Sequence, residues 1–221
     1  MARPFAAIVA IVASAALILQ LWLIVSGNNI ANPDYHPTML TSIVNFFSYF
    51  TILSNIFCAL VTGFAALAPR SSWGRFFAEP RVATAIALYI GVTGLIYFFV
   101  LRHLWKPVGL QFVADAGLHY VMPPLFFLYW LAVVPKKTLR FPDVLPMLIF
   151  PLAYGAYALV RGAITMAVYP AAAWYPYPFL SVPELGYPRT LLNMLGMTIL
   201  FAIVGLLLIA IDRLAGRAQA R

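Results

Sequence analysis

The sequence predicts an all-α, multi-pass membrane protein, a single domain of six transmembrane helices in one bundle. Three observations carry this. Hydrophobic residues make up 64% of the 221-residue chain and charged residues only 9%, whereas a soluble domain is about a quarter charged. Six apolar stretches, at residues 5–25, 39–67, 82–101, 110–134, 144–168 and 191–211, each reach the ~20 residues that a helix needs to cross the hydrocarbon core. No segment shows the alternation, over about ten residues, of a membrane strand.

The first span follows Arg3. Its apolar run exceeds the ~7–15 residues of a signal-peptide core, so it reads as a retained helix. The second span contains "FSYFTILSN". At 100° per residue, Thr41, Asn45, Ser48, Thr51, Asn55 and Thr62 fall on one stripe and Ser54 falls off it. Buried hydroxyls and amides need partners in lipid, so the stripe should face inward, either as glue between helices or as the wall of a cavity. Cys58, the single cysteine, lies in the same span and reads as packing.

The basic connections "APRSSWGRFFAEPR" and "PKKTLRFPD" flank the third and fourth spans. Ten Lys and Arg residues fall on the side of Arg3 and three (Arg102, Lys106, Arg189) on the other, with Arg161 inside a span. Positive residues stay cytoplasmic, so both termini are expected inside, in a cell (inner) membrane. The net charge of +8 then reflects topology and anionic lipid. No basic face interleaved with aromatics points to nucleic acid.

The fourth span, "LQFVADAGLHYVMPPLFFLYW", places Gln111, Asp115 and His119 at i, i+4 and i+8. Asp115 can orient the His119 ring and favour its charged form. Ionisable residues inside spans are rare and usually functional. Pro123 and Pro124 free backbone carbonyls near His119 and predict a kink. In the fifth span Tyr154, Tyr157, Arg161 and Thr165 share a face. Arg161 either pairs with Asp115 or binds an anionic group of a ligand. The connection "YPAAAWYPYPFLSVPELGYP" is either an interfacial aromatic belt or a stiff lid over an outward opening. Asn193 opens the sixth span on the same side. Counting along the helices predicts that Thr51, His119, Arg161 and Asn193 line one cavity in the outer half of the bundle.

A hydroxyl attacks an ester only when a base takes its proton, and neutral histidine suits that role near pH 7. Thr51 as nucleophile and His119 as base, oriented by Asp115, would form an acyl-transfer site. Asn55 or a freed backbone N–H would stabilise the oxyanion, with Ser48 in support. No cofactor and no metal are required.

"FFSYFTILSN", followed about seventy residues later by "LHYVMPPLFFLYW", and "WYPYPFL" at Trp174 to Leu180 resemble the androgen-induced-gene and androgen-dependent tissue-factor-pathway-inhibitor-regulating family. The likeness is to its prokaryotic six-transmembrane branch and covers nearly the whole chain. Animal members are threonine hydrolases of fatty-acid esters of hydroxy fatty acids. Their Thr and His match Thr51 and His119 here. The resemblance implies a bacterial lipid-ester hydrolase. The cavity read from the helix faces would put Arg161, Tyr157 and Asn193 on the substrate side, with Trp174 and Tyr177 of the outer connection. Ser181 stands where that branch often has an acidic residue.

Two other readings stay open. His36, His103 and His119, with Asp34, Asp115 and Glu184, supply ligand types for a zinc hydrolase but no compact spacing. A non-enzymatic lipid-binding or transport protein also fits. The lack of internal repeats and of charges deep in the cytoplasmic half weighs against transport.

Overall fold

In the computed structural model, residues 2–27, 38–168 and 173–218 are described, and their regular structure is all helical. Six helical segments are long and apolar enough to cross a membrane: Ala2–Val25, Phe50–Leu67, Pro80–His103, Gly109–Val133, Phe141–Val168 and Val182–Ala215. The chain is therefore a multi-pass membrane protein. It divides into two units, residues 1–139 with 211–221, and residues 140–210.

In the first unit, α1 (Ala2–Val25) buries Ala6, Val9, Ala13, Ala16 and Leu23. The intervals of three, four, three and seven residues select one face. Small residues on it let neighbouring backbones approach. α2 (Met39–Phe47) begins at Thr38, whose side chain accepts the Thr41 N–H at 3.2 Å, as an N-cap hydroxyl does.

The second span is not the continuous helix expected over 39–67. α2 ends at Ser48, and α3 (Phe50–Leu67) starts after Tyr49, which is extended at φ −83°, ψ 128°. The cause is local. The Ser48 hydroxyl donates to the Val44 carbonyl at 2.6 Å, and such back-bonding bends helices. The 18 residues of α3 rise about 27 Å and nearly span the hydrocarbon unaided. The polar stripe therefore runs along two axes. Its members Asn45, Ser48, Thr51, Asn55 and Thr62 are all buried.

α4 (Ser72–Ala78) is short, with Ser71 accepting the Gly74 N–H at 2.9 Å. α5 (Pro80–Phe99) has Pro80 in its first turn, where the missing N–H costs nothing. It is the most enclosed span, with residues buried all around its circumference. It packs on α3 and on α7 (Met122–Val133), while α1 packs on α3, α6 (Gly109–Ala116) and α7. Polar pairs tie α5 to its neighbours. Ser54 and Thr93 hydroxyls lie 3.1 Å apart, and Trp130 Nε1 donates to Thr84 Oγ1 at 2.8 Å. Ser54, predicted off the polar stripe, is thus the α3 residue that bonds α5.

Between α6 and α7 the fourth span widens into a π-helical turn, Gly117–Val121, in which the Met122 N–H reaches the Gly117 carbonyl. The kink expected from the prolines takes this form. Pro123 and Pro124 cannot donate to the carbonyls four residues back, and the extra residue in the turn absorbs the mismatch. Two glycines admit this geometry. A Cβ at Gly94 would lie 2.8 Å from the Pro123 side chain, and one at Gly117 would lie 2.9 Å from the Ala16 Cβ.

The first unit also holds the end of α9 (Val182–Ala218). Asp212, 1% exposed, accepts the N–H groups of Thr138 and Leu139 at 3.0 and 3.1 Å.

In the second unit, α8 (Val144–Val168) runs through Pro151. The connection after it is partly ordered helix, not the loop expected. A 3₁₀ turn covers Pro178–Leu180 and helix resumes at Val182, interrupted at Gly186 (φ 71°, ψ 159°). Glycine tolerates that left-handed φ, and Pro188 follows it. Residues 169–172 of the proposed lid lie outside the described residues.

Candidate functional site

The first unit brings together the fourth-span ionisable pair and a residue that the sequence did not single out. His119 lies at the centre of the π turn, one position beyond the buried Leu118. Its Nδ1 is 3.0 Å from the Asp115 main-chain oxygen and 3.2 Å from Asp115 Oδ1. Both are acceptors, so Nδ1 carries the proton in the neutral ring and Nε2 keeps its lone pair. Asp115 is 2% exposed. Its Oδ2 accepts the Tyr97 hydroxyl of α5. The Tyr97 and His119 rings stack with centroids 3.8 Å apart and an interplanar angle of 16°. A carboxylate taken out of water is costly unless its oxygens are bonded, and here both have partners. The His119 side chain is 13% exposed.

Asn55 links this turn to α3. Its Nδ2 donates to the Thr51 carbonyl at 2.8 Å and to the Leu118 carbonyl at 3.3 Å. One amide nitrogen therefore holds the turn that carries Thr51 to the turn that carries His119. Both N–H groups of Asn55 are used, which corrects its expected part as an oxyanion donor. Its remaining polar atom, Oδ1, is an acceptor, buried and without a hydrogen-bond partner. Thr51 is 6% exposed and is the second residue of α3, because the break at Ser48–Tyr49 starts a new helix there. A helix N-terminus is the positive end of the backbone dipole. Ser48 is buried at the break, with its hydroxyl on Val44. Gln111 is drawn to α1, donating to Gln20 Oε1 at 2.7 Å.

The other predicted residues lie in the second unit. The Arg161 guanidinium sits 3.9 Å over the Trp174 ring. The Thr165 hydroxyl donates to the Gly162 carbonyl and accepts the Trp174 N–H, each at 3.0 Å. The Tyr175 ring covers Gly162 so closely that a Cβ there would overlap it. Asn193 Nδ2 donates to the Phe179 carbonyl at 3.0 Å, and Tyr177 stacks on Phe179 with centroids 5.2 Å apart. Tyr157 is 43% exposed. The described part of the connection is thus held onto helices of its own unit by one cation, one hydroxyl, one amide and one aromatic contact.

For the zinc alternative, Asp34 and His36 lie outside the described residues. Among the described residues no three His, Cys, Asp or Glu side chains gather in one place. His103 is exposed and its Nε2 accepts from Arg102 at 3.3 Å.

Tyr97 is the residue that sequence reasoning missed. It sits in "LIYFFV" near the end of a span, where tyrosine normally reads as interfacial belt. The packing of α5 against the fourth span gives it Asp115 and His119 as partners. Comparisons with protein-family models, curated proteins and solved structures find no match.

Proposed function

We propose that this chain is an intramembrane hydrolase of amphiphilic lipid esters, of the kind formed between a fatty acid and a hydroxy fatty acid. In this reading the six spans form one bundle in a bacterial inner membrane, with both termini cytoplasmic. The observation that carries it is the His119 imidazole, held through Nδ1 by Asp115. This leaves Nε2 as a base inside a segment where ionisable groups are rare.

Thr51 Oγ1 attacks the ester carbonyl carbon while His119 Nε2 takes its proton. The tetrahedral intermediate collapses, the ester C–O bond breaks, and His119 returns the proton to the departing hydroxyl. Water then attacks the Thr51 acyl ester with His119 again as base, releasing the acid. Thr51 lies in the first turn of α3, and an oxyanion formed beside it would be favoured by the positive end of the helix dipole. Two features support the reading: the Asn55 link between the Thr51 and His119 turns, and the resemblance of "FFSYFTILSN" and "LHYVMPP" to a threonine hydrolase family.

The test is turnover of a branched fatty-acid ester of a hydroxy fatty acid by purified, detergent-solubilised protein. Thr51→Ala and His119→Ala should each lower kcat by about 10²–10⁴ with thermal stability close to wild type. Thr51→Ala protein that turns over at the wild-type rate would sink the assignment.

A further inference from the structure

We propose that Tyr97 is a positioning residue that sets the tautomer and orientation of His119 by acting through Asp115. The inference rests on His119 being the base, and it adds a residue that neither the motifs nor the resemblance contains.

Tyr97 acts on the imidazole from two directions. Its hydroxyl donates to Asp115 Oδ2 and so fixes the rotation of the carboxylate. The other oxygen, Oδ1, then faces His119 Nδ1 at 3.2 Å. Its ring lies parallel to the imidazole at 3.8 Å and closes one face of it. A ring flip of His119 would carry Nδ1 away from both Asp115 oxygens and would have to slide past the Tyr97 face. Within its own span His119 is held only on the Nδ1 edge, by the two Asp115 oxygens, and its ring face is covered by a neighbouring element. That element is α5. Gly94, one turn before Tyr97, lets α5 close on Pro123, and a Cβ there would be 3.6 Å from the His119 carbonyl. The same closeness brings the Tyr97 ring onto the imidazole.

The consequence is chemical. With the carboxylate clamped, Nδ1 is the protonated nitrogen and Nε2 is the base. When Nε2 takes a proton, the imidazolium lies against an anion at Nδ1 and the π face of a phenol, both of which stabilise it. Without the Tyr97 hydroxyl the carboxylate turns, Nδ1 keeps only the Asp115 main-chain oxygen as acceptor, and the Nε2–H form, which cannot accept a proton from Thr51, gains population.

The experiment uses the full chain in detergent, with His36→Gln and His103→Gln so that His119 is the one histidine left. ¹⁵N NMR of the imidazole at pH 8 reads the tautomer directly. The Nδ1–H form should dominate in the parent protein, and Tyr97→Phe should give a mixed population. In the ester assay Tyr97→Phe should lower kcat about 10- to 30-fold with KM within about twofold. Placed on Asp115→Asn, the same change should cost nothing more, because its effect runs through that carboxylate. Comparison of Asp115→Asn with the double variant needs no single Tyr97→Phe protein, since the carboxylate is absent from both. It therefore decides the matter even if Tyr97→Phe alone does not fold. An unchanged tautomer ratio in Tyr97→Phe, or losses that multiply with Asp115→Asn, would overturn the proposal. A wild type that turns over no ester while the tautomer still follows Tyr97 would remove the hydrolase reading and leave the positioning role standing.

Discussion

Two regions of this molecule keep an ionisable side chain within helices that lipid surrounds, and they do it differently. In the first unit, Asp115 and His119 satisfy each other, with Tyr97 completing the carboxylate. In the second, Arg161 lays its charge on the Trp174 ring at 3.9 Å. The first solution uses directional hydrogen bonds and fixes which nitrogen holds a proton. The second uses a π face, which stabilises a cation without specifying a proton. The difference separates a region suited to proton transfer from one suited to anchoring a connection.

The comparison is broken most severely at Gly162. Gly162→Ala puts a Cβ into the Tyr175 ring, and overpacking of that kind costs about 1–3 kcal/mol. Thermal unfolding in detergent should fall by several degrees, and chymotrypsin should cut faster between Trp174 and Tyr177. Unaltered melting and cleavage would show that the connection is not held there.

A smaller effect sharpens the comparison. If Arg161 and Trp174 act as a pair, Arg161→Met and Trp174→Leu should be non-additive, with a coupling of about 0.5–2 kcal/mol in a double-mutant cycle. Additive losses would assign the stability to packing alone.

A third test uses a second cation on an indole, in the first unit, whose lysine lies outside the spans. Lys136 Nζ sits 4.0 Å over the Trp130 ring and donates to the carbonyls of Trp130 and Val134 at 2.5 and 2.7 Å. Burial outweighs these contacts and lowers its pKa from 10.5 to about 8, with Asp212 opposing the shift. The folded state therefore releases this proton before the unfolded state does. Stability from this group rises as pH climbs from about 8 towards 10.5 and is flat below that window. Lys136→Gln should remove that slope in thermal unfolding measured against pH.

Hydropathy alone made the six spans legible, since length and apolar content are what lipid selects. The Asp115–His119 spacing was legible too, because i and i+4 share a helix face. Other features were not. The arc drawn through the second span assumed one axis, and the Ser48 back-bond to Val44 broke it. Ser54 was set aside by that arc, yet it meets Thr93, because α5 approaches α3 from a direction that the α3 sequence does not encode. Asn55 was assigned a donor role that its two carbonyl partners have already taken. The two prolines announced irregular backbone, and the π turn was the form it took. Tyr97 was invisible because its meaning lies in a contact between two spans.

The gap at Ser48–Tyr49 also separates two rotational phases. In an unbroken helix, one residue inserted near position 48 would turn everything before it by about 100° relative to everything after it. Here α2 has its own start at Thr38 and its own end, and α3 begins anew at Phe50. A length change at that joint re-aims α2 alone. Thr51 and Asn55 keep their bearing on the His119 turn, while the buried Asn45 and Phe46 of α2 carry the change.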